Sequence, residues 1–224
     1  MKMAIQMLKR IVTQNVDPRY DRYLGILEQE WNREFTLIKN LLKLQKLEGT
    51  NPNLRPQPIN LISMIEALSQ KFTEKWEQEK NLSVQMDYDS SLVASNGFIL
   101  ATDGGSLNSI LEELLLNAGK FSEVGQQVTI KLDRPTRMGK KHINLSIMNY
   151  GFGITPEEED LIFEKFHRGQ GVTDRAIPGT GLGLALVKIL VEHLHGSIGV
   201  VSEIHPDYPP LAKITFNLCL PDLA

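Results

Sequence analysis

The amino-acid sequence predicts an α+β protein, in which a mixed, mostly antiparallel sheet is covered by helices on one face and preceded by an α-helical hairpin. Three observations lead there. Short segments of strand-like alternation recur in hairpin-like pairs instead of alternating strictly with helices. Apolar residues return at spacings of three and four in several separate stretches. A segment rich in Pro, Asn and Gly, Glu48–Pro58, divides an all-helical beginning from a mixed remainder. The division predicts a helical hairpin with its linker over 1–55 and a second domain over 56–224.

Taken in order, Met1, Ile5, Leu8 and Ile11 share one helical face, and Asp17-Pro18 breaks that helix or starts the next. From Tyr20 to Leu47 a second helix carries Leu24, Leu27, Trp31, Phe35, Ile38 and Leu42 on a single stripe. Two helices cannot bury such a stripe alone, so pairing into a bundle is expected, the alternative being that they pack on the domain that follows. Asn60 to Lys80 is helical, with Leu61, Ile65, Leu68 and Phe72 in phase. Ser83 to Asp87 and Phe98 to Thr102 read as short strands, and Leu107 to Phe121 as a helix. Val128 to Leu132 and Ile143 to Asn149 alternate as strands do. Thr180 to His195 is a strongly apolar helix ending at Gly196, a left-handed cap position. Ser197 to Ser202 and Ala212 to Leu220 complete the sheet.

The 224 residues suffice for one full domain with a real core and a smaller element beside it. A net charge of −3 offers no global attraction to nucleic acid or to an anionic membrane, so neither is expected as a partner. The single cysteine, Cys219, lies in an apolar strand segment and cannot form an internal disulfide. The longest apolar stretch, Leu182 to Val191, is interrupted by Lys188 and is too short to span a bilayer. With no signal peptide at the start, the cytoplasm is the expected compartment, which leaves room for a membrane-anchored parent.

Chemistry concentrates in four places. On the helix Leu107–Phe121, the residues Leu107, Ile110, Leu111, Leu114 and Ala118 form the apolar face, while Glu113, Asn117 and Lys120 line up beside it. A carboxylate, an amide oxygen and an ammonium in one row suit a hydrated Mg²⁺ on a polyphosphate, because magnesium takes oxygen ligands and keeps waters. Next, Ile147-Met-Asn-Tyr-Gly-Phe-Gly-Ile154 runs a strand into a G-x-G turn where backbone could approach a flat ligand. Gly179-Thr-Gly-Leu-Gly183 opens the apolar helix, and free N–H groups at a helix start attract anions. Its spacing is neither the Rossmann fingerprint nor a Walker A loop. Between the glycine clusters lie the residues Ile154 to Pro178, a connection long enough to be a lid. Thr155-Pro-Glu-Glu158 is a capping box that predicts a short helix, and Arg168 follows where a cation could meet terminal phosphates. His193 and His195 form an H-x-H pair, but they have no partner at metal-ligand spacing and sit where a helix C-terminus favours histidine.

The order of these elements resembles the histidine kinase branch of the GHKL ATPases, the superfamily shared with DNA gyrase and mismatch-repair ATPases. Leu116-Asn-Ala-Gly-Lys-Phe121 looks like the N box, Asn149-Tyr-Gly-Phe-Gly-Ile154 the first glycine box, Phe163-Glu-Lys-Phe166 the F box, and Gly179-Thr-Gly-Leu-Gly-Leu184 the second glycine box. The resemblance covers Pro58 to Leu220 and implies a Bergerat-type ATP-binding fold. It implies that Asn117 coordinates Mg²⁺ with Glu113 nearby, that Lys120 contacts phosphate, and that Phe121 lies against the nucleotide. Asn149 would recognise the adenine amino group, with Gly151 and Gly153 letting the base lie close. Arg168, Gly179, Thr180, Gly181, Leu182 and Gly183 would handle phosphates. The catalytic set so implied is Glu113, Asn117, Lys120 and Arg168, the cofactors are ATP and Mg²⁺, and the partners are a second copy of the chain and a response regulator receiver domain.

Three departures from the family pattern stand out. The usual Asp at the adenine position is Asn149, whose amide oxygen can still accept from the amino group without charge assistance, at a cost of about 1 kcal/mol. Position 113, usually Asn, is Glu, as in the hydrolysing relatives and the anti-sigma serine kinases, which leaves its role open between Mg²⁺ shell and general base. The N-terminal helices resemble the dimerisation and phosphotransfer hairpin, with Leu41-Leu-Lys-Leu-Gln-Lys-Leu-Glu48 at its exit, yet no histidine occurs there. The five histidines are His142, His167, His193, His195 and His205. The chain is therefore expected to bind ATP without labelling itself. An anti-sigma-type serine kinase and a non-catalytic nucleotide-binding module are the alternatives.

Overall fold

The computed structural model describes residues 18–49, 54–91, 98–134, 136–137, 140–169, 171–172, 177–206 and 208–223. The expected helix Met1–Ile11 lies outside them. Its successor, α1, runs Pro18–Gly49, and β1, Gln57–Asn60, is the first element of the region expected as the second domain. The strand β1 straddles the end of what reads as linker and the start of the expected helix. Its residues have no alternation to mark them, and they become a strand by pairing antiparallel with β3, Ile99–Thr102, in a two-stranded sheet.

The helix α2, Leu61–Lys80, begins where the Asn60 side chain accepts from the Ser63 N–H at 3.2 Å. It ends at Asn81, which takes the left-handed conformation at φ 52°. The helix α3, Gly104–Phe121, is capped in the same way, Asp103 accepting from the Ser106 N–H at 2.8 Å. The remaining strands are β2, Ser83–Tyr88; β4, Gln127–Asp133; β5, Thr136–Arg137; β6, Lys140–Phe152; β7, Ser197–Ile204; and β8, Leu211–Pro221. The main sheet has the order β2-β4-β6-β8-β7, with β5 paired to β6 off that path. Only β2 and β4 run parallel; the other described pairings are antiparallel, so the sheet is mixed as expected.

One face of this sheet is covered. Val128, Ile130 and Leu132 of β4 and Ile143, Leu145 and Ile147 of β6 are buried, and the residues between them are not. Against that face pack α2, α3 and α4, the last spanning Gly183–His193. The apolar faces anticipated for α2 and α3 are the buried ones, with Trp76 added to the first.

Some boundaries differ from expectation, each for a local reason. Thr155–Glu158 makes turns and then a single 3₁₀ turn at Leu161–Phe163 instead of an α-helix. The reciprocal capping contact is present, the Thr155 N–H reaching Glu158 Oε2 at 3.4 Å, but the chain turns back too soon for helix to propagate. α4 starts three residues later than Thr180 because Gly181, at φ 70°, cannot continue into a right-handed turn. At its other end the left-handed residue is His195, at φ 57°, not Gly196. Gly196 is needed for space: a Cβ there would meet the Cys219 carbonyl oxygen at 2.6 Å.

The helix α1 uses two opposite faces. Leu37, Leu44 and Leu47 pack on the second domain, and Lys43 donates to Ser109 Oγ at 2.8 Å. Glu48 pairs with Lys165. On the other side Leu27, Phe35, Ile38 and Leu42 are exposed, while Leu24 of the same stripe is buried and Trp31 is half-buried against Phe35. The domain thus takes a face the apolar stripe did not mark, and much of the marked face is left uncovered.

Candidate functional site

A cavity of about 410 Å³ opens between α3, the end of β6, the start of α4 and one side of α1. Glu113, Asn117, Lys120 and Phe121 enter from α3, Asn149 and Gly153 from β6 and the turn after it, and Arg168 from the connection between the glycine clusters. Gly179, Thr180, Gly181 and Gly183 complete the rim. Spacings of four and three on α3 put the three polar residues on one side, and burial of Leu114 and Ala118 turns that side inward.

The end of α3 is held by Lys80, whose Nζ donates to the Lys120 carbonyl at 2.7 Å and to the Ser122 carbonyl at 2.9 Å. A cation on the last carbonyls of a helix satisfies orphan acceptors and opposes the helix dipole. Beneath it, Gly119 lies on the Trp76 ring, and Phe121 meets Phe152 edge-on at 5.8 Å. These contacts fix the direction of Lys120 and Phe121.

The first turn of α4 adds partial positive charge of its own. Leu182 makes no side-chain cap at its N-terminus, and Gly183 and Leu184 of that turn line the cavity, their N–H groups unused by a capping residue. The Glu113 carboxylate already lies there: a Cβ on Gly183 would come within 2.7 Å of its Oε2. Burial pushes the Glu113 carboxyl above its ordinary 4.5, against the pull of Lys120, then Lys43 and Lys39. Burial likewise pulls the Lys120 ammonium below its ordinary 10.5, opposed by Glu113 and reinforced by Lys75 and Arg168. Each group opposes the burial that disfavours charge on the other, and burial is the larger effect on both.

Asn149 is the one polar residue in an inward row that begins Ile143, Leu145, Ile147, and it is only 3% exposed. Its Nδ2 has no hydrogen-bond partner among the described residues. A buried donor left unmade costs about 1–3 kcal/mol, which makes the position conspicuous. Arg168 donates from Nη2 to the Ile177 carbonyl at 2.6 Å, while its Nε has no partner among the described residues. The Thr180 hydroxyl accepts from the Leu182 N–H at 3.4 Å.

Two of the expected residues stand apart from the cavity. Leu182 is fully buried, its side chain in the core. Gly151 faces the end of α3, where a Cβ would meet the Phe121 carbonyl oxygen at 2.0 Å. Its missing side chain admits the bridge between Ser122 and Gly151 that joins α3 to β6. Conversely, Gln29, Arg33, Thr36 and Asn40 of α1 and Lys75 of α2 line the cavity without having been singled out. The first four share one helix side, a polar row that reads in sequence as a solvated face. The Arg33 guanidinium lies 3.7 Å from Glu30 Oε2.

The sequence profile of the family described as histidine kinase-, DNA gyrase B- and HSP90-like ATPases matches residues 102–222. The sensor-like histidine kinase SenX3 of Mycobacterium tuberculosis strain H37Rv is 31% identical over 196 residues, which are 87% of this chain and 43% of SenX3. The chain spans between 10% and 43% of the length of the curated relatives it matches. Among solved structures, full-length ShkA in complex with AMPPNP superposes with a TM-score of 0.69 at 24% identity, covering 88% of this chain and 38% of that one. Histidine kinase ThkA in complex with response regulator protein TrrA gives 0.67 at 20% identity, covering 98% of this chain and 57% of that one. Both likenesses concern the fold. Among the described residues no helix is long and apolar enough to cross a membrane. More than half of its length matching the family profile, the chain belongs to the histidine kinase-, DNA gyrase B- and HSP90-like ATPases, and its fold is that of a sensor histidine kinase catalytic domain.

Proposed function

We propose that residues 56–224 bind Mg-ATP and transfer its γ-phosphoryl group to a histidine on a dimerisation helix, for relay to a response regulator receiver domain. The observation that carries this reading is the convergence on one cavity of Asn117, Lys120, Arg168 and the uncapped start of α4. Phosphoryl transfer asks of a protein mainly positioning and charge stabilisation, and these groups provide both. Lys120 and Arg168 would draw the terminal phosphates between them, and the first N–H groups of α4 would accept the polyphosphate oxygens. Glu113 would leave the start of α4 as phosphate arrives. An amide oxygen on Asn117 and a carboxylate on Glu113 are the hard oxygen donors that Mg²⁺ requires, and the ion when bound neutralises phosphate charge.

The exposed row Leu27, Phe35, Ile38 and Leu42 supports pairing of two chains through α1, since a row of that kind is a large apolar patch for one chain to show to water. ThkA, of like fold, is a histidine kinase solved with a response regulator, and this supports the same class of partner here.

The test is to measure nucleotide binding by calorimetry with Mg²⁺ and with chelator, then to add a hairpin carrying an acceptor histidine and follow labelled phosphate. Acid-labile, base-stable phosphate on the added hairpin is the expected result. Acid-stable phosphoserine would replace this reading with an anti-sigma-type serine kinase. Absence of nucleotide binding would remove the reading altogether.

A further inference from the structure

We infer that Asn149 makes the base pocket indifferent to the 6-substituent of the purine, so that the site takes 6-oxopurine nucleoside triphosphates alongside ATP. The inference rests on the proposed nucleotide site and concerns which base that site admits.

The side chain is buried at the cavity with its amide donor unused among the described residues. It ends an inward row of apolar residues on β6, pairs in register with Ile214 of β8, and lines the cavity with Ile214 and Phe216. Only 3% of it is exposed, and its Nδ2 finds no hydrogen-bond partner among the described residues. A donor so placed can be satisfied by an acceptor on whatever enters the cavity.

The purine edge offers two patterns. Adenine presents a donor at N6 beside an acceptor at N1. A 6-oxopurine presents an acceptor at O6 beside a donor at N1. A primary amide carries one donor and one acceptor side by side, and a half-turn about its terminal torsion exchanges them. Asn149 can therefore match either edge with two hydrogen bonds at the same place. A carboxylate has acceptors only, so it can take the adenine amino group or the 6-oxopurine N1–H, but it leaves N1 of the first or O6 of the second opposed by an oxygen.

Binding of ATP and of inosine triphosphate to the chain, each with Mg²⁺, decides the matter by calorimetry. Inosine triphosphate is the probe because it lacks the 2-amino group that a carboxylate could grasp. The two dissociation constants should lie within about tenfold of each other, and Asn149→Asp, which removes the donor that meets N1 of one base or O6 of the other, should weaken both nucleotides. Asn149→Leu, which keeps an apolar row and removes donor and acceptor together, should weaken both nucleotides by a similar factor. ATP binding with inosine triphosphate rejected by a hundredfold or more would overturn the inference and leave the ATP site standing. Selective loss of ATP alone in Asn149→Leu would overturn it too. If neither nucleotide binds, the nucleotide site itself is wrong and the inference falls with it.

Discussion

Replacing Gly119 by alanine tests how the site is mounted on the core. A Cβ at that position would stand 2.3 Å from Cε2 and Nε1 of Trp76 and 2.7 Å from its Cδ2. Ordinary carbon contacts begin at about 3.5 Å, so the indole would have to retreat by roughly 1 Å. Trp76 is 7% exposed, stacks at a tilt on Phe72 at 6.4 Å, and lies under the Lys75 ammonium at 4.5 Å, so it has little freedom to move. Overpacking of this kind costs about 1–3 kcal/mol. Against it, alanine in a helix interior gains about 0.8–1 kcal/mol over glycine. A contact as close as 2.3 Å on a confined ring places the overpacking cost at about 2–3 kcal/mol, so the expected net is a loss of about 1–2 kcal/mol, together with weaker nucleotide binding because Lys120 and Phe121 follow Gly119 directly. Urea denaturation, followed by tryptophan emission in a Trp31→Phe background, should show the midpoint lowered by roughly 0.5 M or more. A Gly119→Ala variant that is as stable as its parent, with unchanged emission, would mean that helix propensity wins and that the packing of Trp76 on Gly119 does not constrain the site.

Three further outcomes are expected. Asn117→Ala should weaken nucleotide binding at least about tenfold with Mg²⁺ and change it little in chelator, as calorimetry under the two conditions would show; equal loss in both would assign Asn117 to phosphate or fold. Since burial holds the Glu113 carboxyl above its ordinary 4.5, the folded chain takes up this proton at higher pH than the unfolded one. Its contribution to nucleotide-free stability therefore grows as pH falls from the raised value to 4.5, and Glu113→Gln should remove that slope from a pH series of urea midpoints. Changing Phe35, Ile38 and Leu42 together to serine should give a monomer in sedimentation with nucleotide binding intact, and a parent chain that is already monomeric would refute pairing through that face.

Much of the candidate site can be read from order and spacing. The row Glu113, Asn117, Lys120 follows from the helical period, and the buried face of α3 turns that row inward. The glycine at 181 announces a break because no other residue takes φ 70° cheaply. By contrast, β1 could not be read, since an edge strand of four residues draws its stability from β3, forty residues away in the chain. Leu182 and Gly151 show the limit of a motif: each sits within a glycine box, yet one fills the core and the other admits the end of α3.

What the sequence determines by itself is whatever depends on local periodicity: which stretches are helix or strand, which side of each is apolar, and in what order the polar groups come. What only the tertiary structure decides is which surfaces meet. Two examples carry this. The polar row Gln29, Arg33, Thr36 and Asn40 looks solvated along the chain but lines the cavity, because the side of α1 beside it, bearing Leu37, Leu44 and Leu47, docks on the second domain. The Glu113 carboxylate reaches the start of α4, seventy residues on, because α3 and α4 pack side by side on one face of the sheet. Periodicity is written in neighbours three or four residues apart, whereas docking is settled by the shape and charge of surfaces that exist only after the chain has folded.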